Sequence, residues 1–123
     1  MTQEDYVSFE VAKLLKEKGF NGLCTAYYDY FTTDEFHCGY EPTDFNSIDT
    51  KIRKIVAAPT NQMAMKWLRE NHKIYINIRY VPKHFCFEFK FINKSAEDKR
   101  VVYSQIYKDA LEAAIKYVLE NLI

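Results

Sequence analysis

The sequence predicts an α+β fold, an antiparallel sheet with helices packed on one face, in the order α-β-β-β-α-β-β-β-α. Three observations carry this reading. Ile74–Ile92 holds two runs in which apolar residues recur at every second position, the period of a strand. Met63–Leu68 and Tyr107–Leu122 hold apolar stripes at the 3.6-residue period of a helix. Around His72 the period changes from 3.6 to 2, so helix, tight turn and strand follow one another directly.

In chain order, Met1–Val7 reads as a short polar lead-in. Ser8 suits the N-cap of a helix running to about Lys18, with Val7, Val11, Leu14 and Leu15 on one side and Lys13 and Glu17 on the other. Gly19 stops it, and Phe20 folds back toward Leu15, the contact that accompanies a Schellman cap. Leu23–Tyr40 reads as an aromatic hairpin with a polar turn near Thr32–Glu35. A loop of odd length sets Ala26, Tyr28 and Tyr30 on one face with Tyr40, Cys38 and Phe36, whereas an even loop mixes polarity on both faces. Glu41–Asp49 is rich in turn formers, and Lys51–Ala57 reads as a third strand.

Pro59 and Thr60 open the central helix, since proline loses no helical bond in a first turn and threonine caps free donors. Met63, Ala64, Trp67 and Leu68 form its apolar arc, and Asn71 is the residue expected to take the left-handed terminating conformation. In the strand that follows, Ile74, Ile76, Ile78 and Tyr80 alternate with Tyr75, Asn77 and Arg79. After a turn at Val81–His84, Phe85, Phe87, Phe89 and Phe91 alternate with Cys86, Glu88 and Lys90. An even register pairs Tyr80 with Phe85, Ile78 with Phe87, Ile76 with Phe89 and Ile74 with Phe91, and a one-residue slip would put four phenylalanines in water. Asn93–Arg100 is a charged loop and Val101–Gln105 a sixth strand. The last helix carries Tyr107, Leu111, Ala114, Ile115, Val118 and Leu122 on its core stripe, opposite Glu112, Lys116 and Glu120.

Ala64–Asn71 (AMKWLREN) and Ala114–Asn121 (AIKYVLEN) lie fifty positions apart, each after three strands. Two explanations stand: a duplicated β-β-β-α unit, or two amphipathic helices converging on similar letters, the simpler of the two.

A chain of 123 residues suits a single domain, 1–123, able to bury a core without staples. Lys plus Arg equals Asp plus Glu at 17 each, so the basic footprint of a dedicated duplex nucleic-acid binder is missing. No apolar run is long enough to span a bilayer, and Met1–Tyr6 is polar and acidic rather than a signal peptide. With three cysteines, an odd number, this predicts reduced thiols in a cytoplasmic protein.

Three segments resemble a known family: Ala58-Pro59-Thr60 with Gln62–Glu70 (QMAMKWLRE), Val7–Glu10 with Ala12–Phe20 (AKLLKEKGF), and Glu112–Tyr117 (EAAIKY) with Leu119–Ile123 (LENLI). The family comprises small proteins encoded by anaerobic gut bacteria, often in prophages or other mobile regions, without an assigned activity. The resemblance implies an accessory, phage-linked context and carries over no catalytic residue.

Candidate sites compete with plainer explanations. Cys24, His37, Cys38 and His84 are zinc-ligand types, but without a Cys-x-x-Cys clamp or a helical His pair, and the hairpin register sets Cys24 and Cys38 about 13 Å apart. That separation also opposes a disulfide. Asp29, Asp34, Glu35, Glu41 and Asp44 gather near the first hairpin, where turns favour carboxylates in any case. Cys86 would be reactive only if cations such as Arg79 lowered its pKa. Tyr75, Asn77, Arg79, Glu88 and Lys90 share the polar face of the second hairpin. Tyrosine and arginine are enriched in protein-binding surfaces, and aromatic and basic groups on an open sheet also hold single strands. Glu88 at the centre and zero net charge favour a protein partner. The expectation is a non-enzymatic accessory protein that binds another protein, without metal, cofactor or membrane. Single-stranded nucleic-acid binding through the same face is the second reading.

Overall fold

The computed structural model describes the backbone of residues 3–48, 54–81, 84–91, 102–104 and 107–123, and the side chains of residues 3, 5–48, 54–78, 85 and 107–123. The elements are α1 (Phe9–Glu17), β1 (Cys24–Asp29), β2 (Glu35–Thr43), β3 (Ile55–Ala57), α2 (Asn61–His72), β4 (Ile74–Val81), β5 (His84–Phe91), β6 (Val102–Ser104) and α3 (Tyr107–Asn121). The α+β class and the element order agree with the sequence. The strands divide between two antiparallel three-stranded sheets, ordered β2-β1-β3 and β4-β5-β6, and the chain falls into two compact units, Met1–Asn61 and Gln62–Ile123.

In the first unit, Ser8 caps α1: its hydroxyl accepts from the Val11 amide at 3.2 Å. At the other end Gly19 takes φ 92°, the Gly19 amide donates to the Lys16 carbonyl at 3.1 Å and the Phe20 amide to the Leu15 carbonyl at 2.9 Å. That is the bond pair of a Schellman cap. Val11, Ala12 and Leu15 are buried, and α1 packs on β3. The expected odd loop is present as residues 30–34, with Ala26 opposite Cys38 and Tyr28 opposite Phe36.

Three expectations for this unit need correction. Tyr40 leaves the Ala26–Tyr28 face and lies against Tyr27 (ring centroids 5.4 Å) and Phe45 (6.1 Å). The cause is a break in register beyond Ala26, where Cys24 pairs with Thr43, and Gly39 at φ 89° falls within it. Extra residues in one strand turn the following side chains to the other face. Second, β2 continues to Thr43 through Pro42, although Glu41–Asp49 reads as turn. The strand lies at the sheet edge, where proline's missing N–H leaves no ladder bond broken. Third, Pro59 precedes α2 rather than entering it: its side chain is buried and its carbonyl accepts from the Val7 amide at 3.0 Å.

In the second unit, α2 runs through His72, and Lys73, not Asn71, takes the left-handed conformation at φ 58°. Asn71 stays helical and its amide Nδ2 donates to the Trp67 carbonyl at 3.1 Å. Asn121 does the same to the Tyr117 carbonyl at 3.1 Å. The shared octapeptide thus builds the same helix ending twice, with Ala64, Leu68, Ala114 and Val118 all fully buried. The three strands that precede each helix do not repeat in arrangement, since the central strand is the first of three in one sheet and the second of three in the other. Trp67 is half-buried rather than a core residue, its ring edge-on to His72 at 4.8 Å.

The β4–β5 register matches the expected one throughout, from Ile74 opposite Phe91 to Val81 opposite His84. β6 adds to β5 with Phe85 opposite Ser104 and Phe87 opposite Val102. α3 packs on all three strands, burying Ala110, Leu111, Ala114, Ile115, Val118 and Leu119. Ala110 and Leu119 join the expected stripe, while Tyr107 stays exposed with its ring edge-on to Phe85 at 5.5 Å. Ile74 and Ile76 are buried and Ile78 half-buried. The expected burial of Phe87 and Phe89, the loop Asn93–Arg100 and the turn at Pro82–Lys83 lie outside the described residues.

Candidate functional site

The alternation of β4 gives the candidate face its two sides. Ile74 is 1% exposed and Ile76 8%, whereas Tyr75 between them is 46% exposed and Asn77 is likewise exposed. Successive strand residues point to opposite faces, and α3 covers the isoleucine side, so Tyr75 and Asn77 stand on the side α3 leaves open. Register brings the other expected residues to them: Lys90 is opposite Tyr75, Glu88 opposite Asn77, and Cys86 opposite Arg79. β6 extends the same row, with Tyr103 opposite Cys86. Directly opposed residues of an antiparallel pair share a face. The five predicted positions therefore assemble on two neighbouring strands, with both charge signs and an aromatic residue among them. The side chains of Arg79, Glu88 and Lys90 lie outside the described ones.

The other candidates disperse. Cys24 is buried and Cys38 exposed, and both are free thiols. Among the described residues no group of three His, Cys, Asp or Glu side chains could hold a metal ion. His84 and Cys86 lie outside the described side chains. Burial first, and the neighbouring Asp44 second, push the Cys24 thiol up from 9.0 to about 12, away from the thiolate that a nucleophile or zinc ligand requires. Two of the candidate carboxylates serve local structure: Asp29 accepts from the Phe31 amide at 3.1 Å, an Asx turn, and Glu35 pairs with His37 at 3.6 Å.

Sequence reasoning missed the polar clamp of the first unit. Asn46 donates through Nδ2 to the Phe20 carbonyl at 2.9 Å and accepts through Oδ1 from the Ala57 amide at 2.8 Å, tying the end of the α1 cap to β3. Tyr28 donates its hydroxyl to the Val7 carbonyl at 2.7 Å in a buried site. Asn46 sits in a run of turn formers, where an asparagine that bonds two distant segments looks like any other. Also missed was an open groove of about 350 Å³ lined by Lys13, Lys16, Glu17, Tyr30 and Val56. Lys13 lies over the Phe9 ring at 4.6 Å, and Lys16 donates to the Ile55 carbonyl at 3.4 Å, so both ammonium groups already have protein partners.

No helix among the described residues is long and apolar enough to cross a membrane. The chain matches no protein-family model, no curated protein and no solved structure.

Proposed function

We propose that the chain is a small, non-enzymatic cytoplasmic protein, an accessory of a phage or other mobile element, that acts by binding another protein through the open face of β4 and β5. One observation carries this reading: Tyr75 and Asn77 stand exposed while the alternate residues Ile74 and Ile76 are buried, and they lie opposite the positions of Lys90 and Glu88. An aromatic residue among charges of both signs suits a protein surface, where tyrosine supplies contact area and the flanking charges select the partner. A phosphate backbone would favour cations alone, and Glu88 holds a central position in this row. The phage or mobile-element context rests on the family resemblance of the two ends and the centre of the chain, and a cytoplasmic location on the odd cysteine count. The upward shift of Cys24 bears on that residue alone, setting it further from the thiolate a nucleophile needs.

The second reading, single-stranded nucleic acid on the same face, rests on Tyr75 as a stacking platform, with Lys90 opposite it and Arg79 further along the same strand. One experiment separates the two. Immobilised protein is incubated with nuclease-treated host lysate, and in parallel titrated with fluorescent single-stranded DNA and RNA. Retention of a defined protein after nuclease treatment, lost with Tyr75→Ala, supports the first reading. Saturable oligonucleotide binding that weakens with added salt, with no protein retained, replaces it by the second.

A further inference from the structure

We propose that the second unit joins a second copy of itself through the outer edge of β4, antiparallel, about a two-fold axis at Asn77. Sheet edges invite pairing with other chains, and proteins blunt them with short strands, bulges, proline or charge. Of the four sheet edges among the described residues, β3 and β6 are three residues long. β2 is nine residues long but is interrupted by the register break around Gly39 and carries Pro42. β4 has none of the first three devices. It runs eight residues in unbroken register with β5, contains no glycine or proline, and no strand among the described residues pairs with its other edge.

The strand is also complementary to itself. Antiparallel pairing centred on Asn77 sets Tyr75 opposite Arg79 twice, Ile76 opposite Ile78 twice, Ile74 opposite Tyr80 twice, and Asn77 opposite its copy. Every pair joins like with like in polarity, and no two charges of one sign meet. Sliding by two residues toward Ile76 brings Lys73 against Arg79, a like-charge pair, and sliding by one residue sets isoleucines against polar residues. Tyr75 and Asn77 are exposed and so are open to such a neighbour. A two-fold axis normal to the sheet keeps the α3-covered face on one side in both copies. The product is a six-stranded sheet, β6-β5-β4-β4-β5-β6, whose two polar faces are continuous. This inference concerns the strand edge and does not rest on the partner-binding reading of the face.

The test is sedimentation velocity of the full chain from micromolar to millimolar concentration, with far-UV circular dichroism as the folding control. Wild type is expected to show a monomer–dimer equilibrium. Asn77→Lys places two ammonium groups face to face at the axis and abolishes the dimer with the melting curve retained. Tyr75→Glu creates two Glu–Arg79 pairs and Tyr75→Lys two Lys–Arg79 repulsions, tightening and loosening the dimer respectively by about 2- to 30-fold each. A monomer at every concentration overturns the proposal, as does a dimer that Tyr75→Glu and Tyr75→Lys do not move in opposite directions. Glu88→Lys, on the central strand, leaves the dimer intact whether or not the face binds a partner.

Discussion

The two units share one string of elements, a helix followed by three antiparallel strands, yet they reach closure by different means. In the first unit the chain leaves β2 and returns to the far side of β1, so the first strand becomes the centre. Within that return Asn46 bonds both the Phe20 carbonyl and the Ala57 amide, and elsewhere in the unit the buried Tyr28 hydroxyl ties β1 to the Val7 carbonyl. In the second unit the strands follow one another as a meander, and a single amphipathic helix, α3, covers all three. The first unit therefore adds specific polar bonds between distant segments to its apolar core, while in the second the buried stripe of α3 spans the sheet. The difference extends to the long edge strands, bulged at Gly39 in the first unit and regular along β4 in the second.

Substitutions break this comparison at different points. The largest effect is expected for the α3 stripe: Ile115→Ala, at a position with no exposed surface, costs about 2–5 kcal/mol in denaturant melts. The matching polar deletion, Asn46→Ala, strips partners from the Phe20 carbonyl and the Ala57 amide and costs about 2–4 kcal/mol. A loss below about 0.5 kcal/mol would mean water replaces both bonds and the clamp is not what orders β3. Trp67→Ala costs about 2 kcal/mol, below the 3–5 kcal/mol of a fully buried aromatic, because the ring is only half-covered. Asn71→Ala removes one exposed helix-end bond and costs at most about 1 kcal/mol.

Cys24 supplies a pH-dependent probe of the first unit. Its folded-state pKa is raised, so the native state holds the thiol proton more tightly than the unfolded chain does. The resulting contribution to stability is full below about pH 9 and is lost as pH rises toward 12. Wild type should lose stability relative to Cys24→Ala across that window, and a constant difference between the two melts would contradict the assignment. In alkylation at neutral pH, Cys38 reacts and Cys24 stays protected until the chain unfolds.

Where sequence and structure agree, a strong local signal and a short connection act together. Four phenylalanines alternating against Ile74, Ile76, Ile78 and Tyr80 leave one register that keeps them out of water, and the structure has that register. Ser8 and Gly19 set the bounds of α1 because capping is a matter of a few adjacent residues. The disagreements arise where a distant or competing influence decides. Lys73 adopts the left-handed conformation in place of Asn71, whose side chain instead bonds back to Trp67. Gly39 was readable as a glycine inside a strand, a known sign of a bulge, but its effect on Tyr40 depends on how many residues the break absorbs. The order β2-β1-β3 is set by a connection whose long-range bonds fall on ordinary turn residues. For the candidate face, the strand positions were legible because alternation and register are local properties.

The most direct test of the proposed binding role is a matched pair of charge reversals, one in each unit. Glu88 lies at the centre of the candidate face, and Glu41 is an exposed strand residue of the first unit, so Glu88→Lys and Glu41→Lys change net charge equally. Both variants and wild type are immobilised and presented with nuclease-treated host lysate, after melts confirm unchanged stability. The expected result is that wild type and Glu41→Lys retain the same protein while Glu88→Lys releases it. Retention by Glu88→Lys with loss in Glu41→Lys would move the binding surface to the first unit and contradict the account.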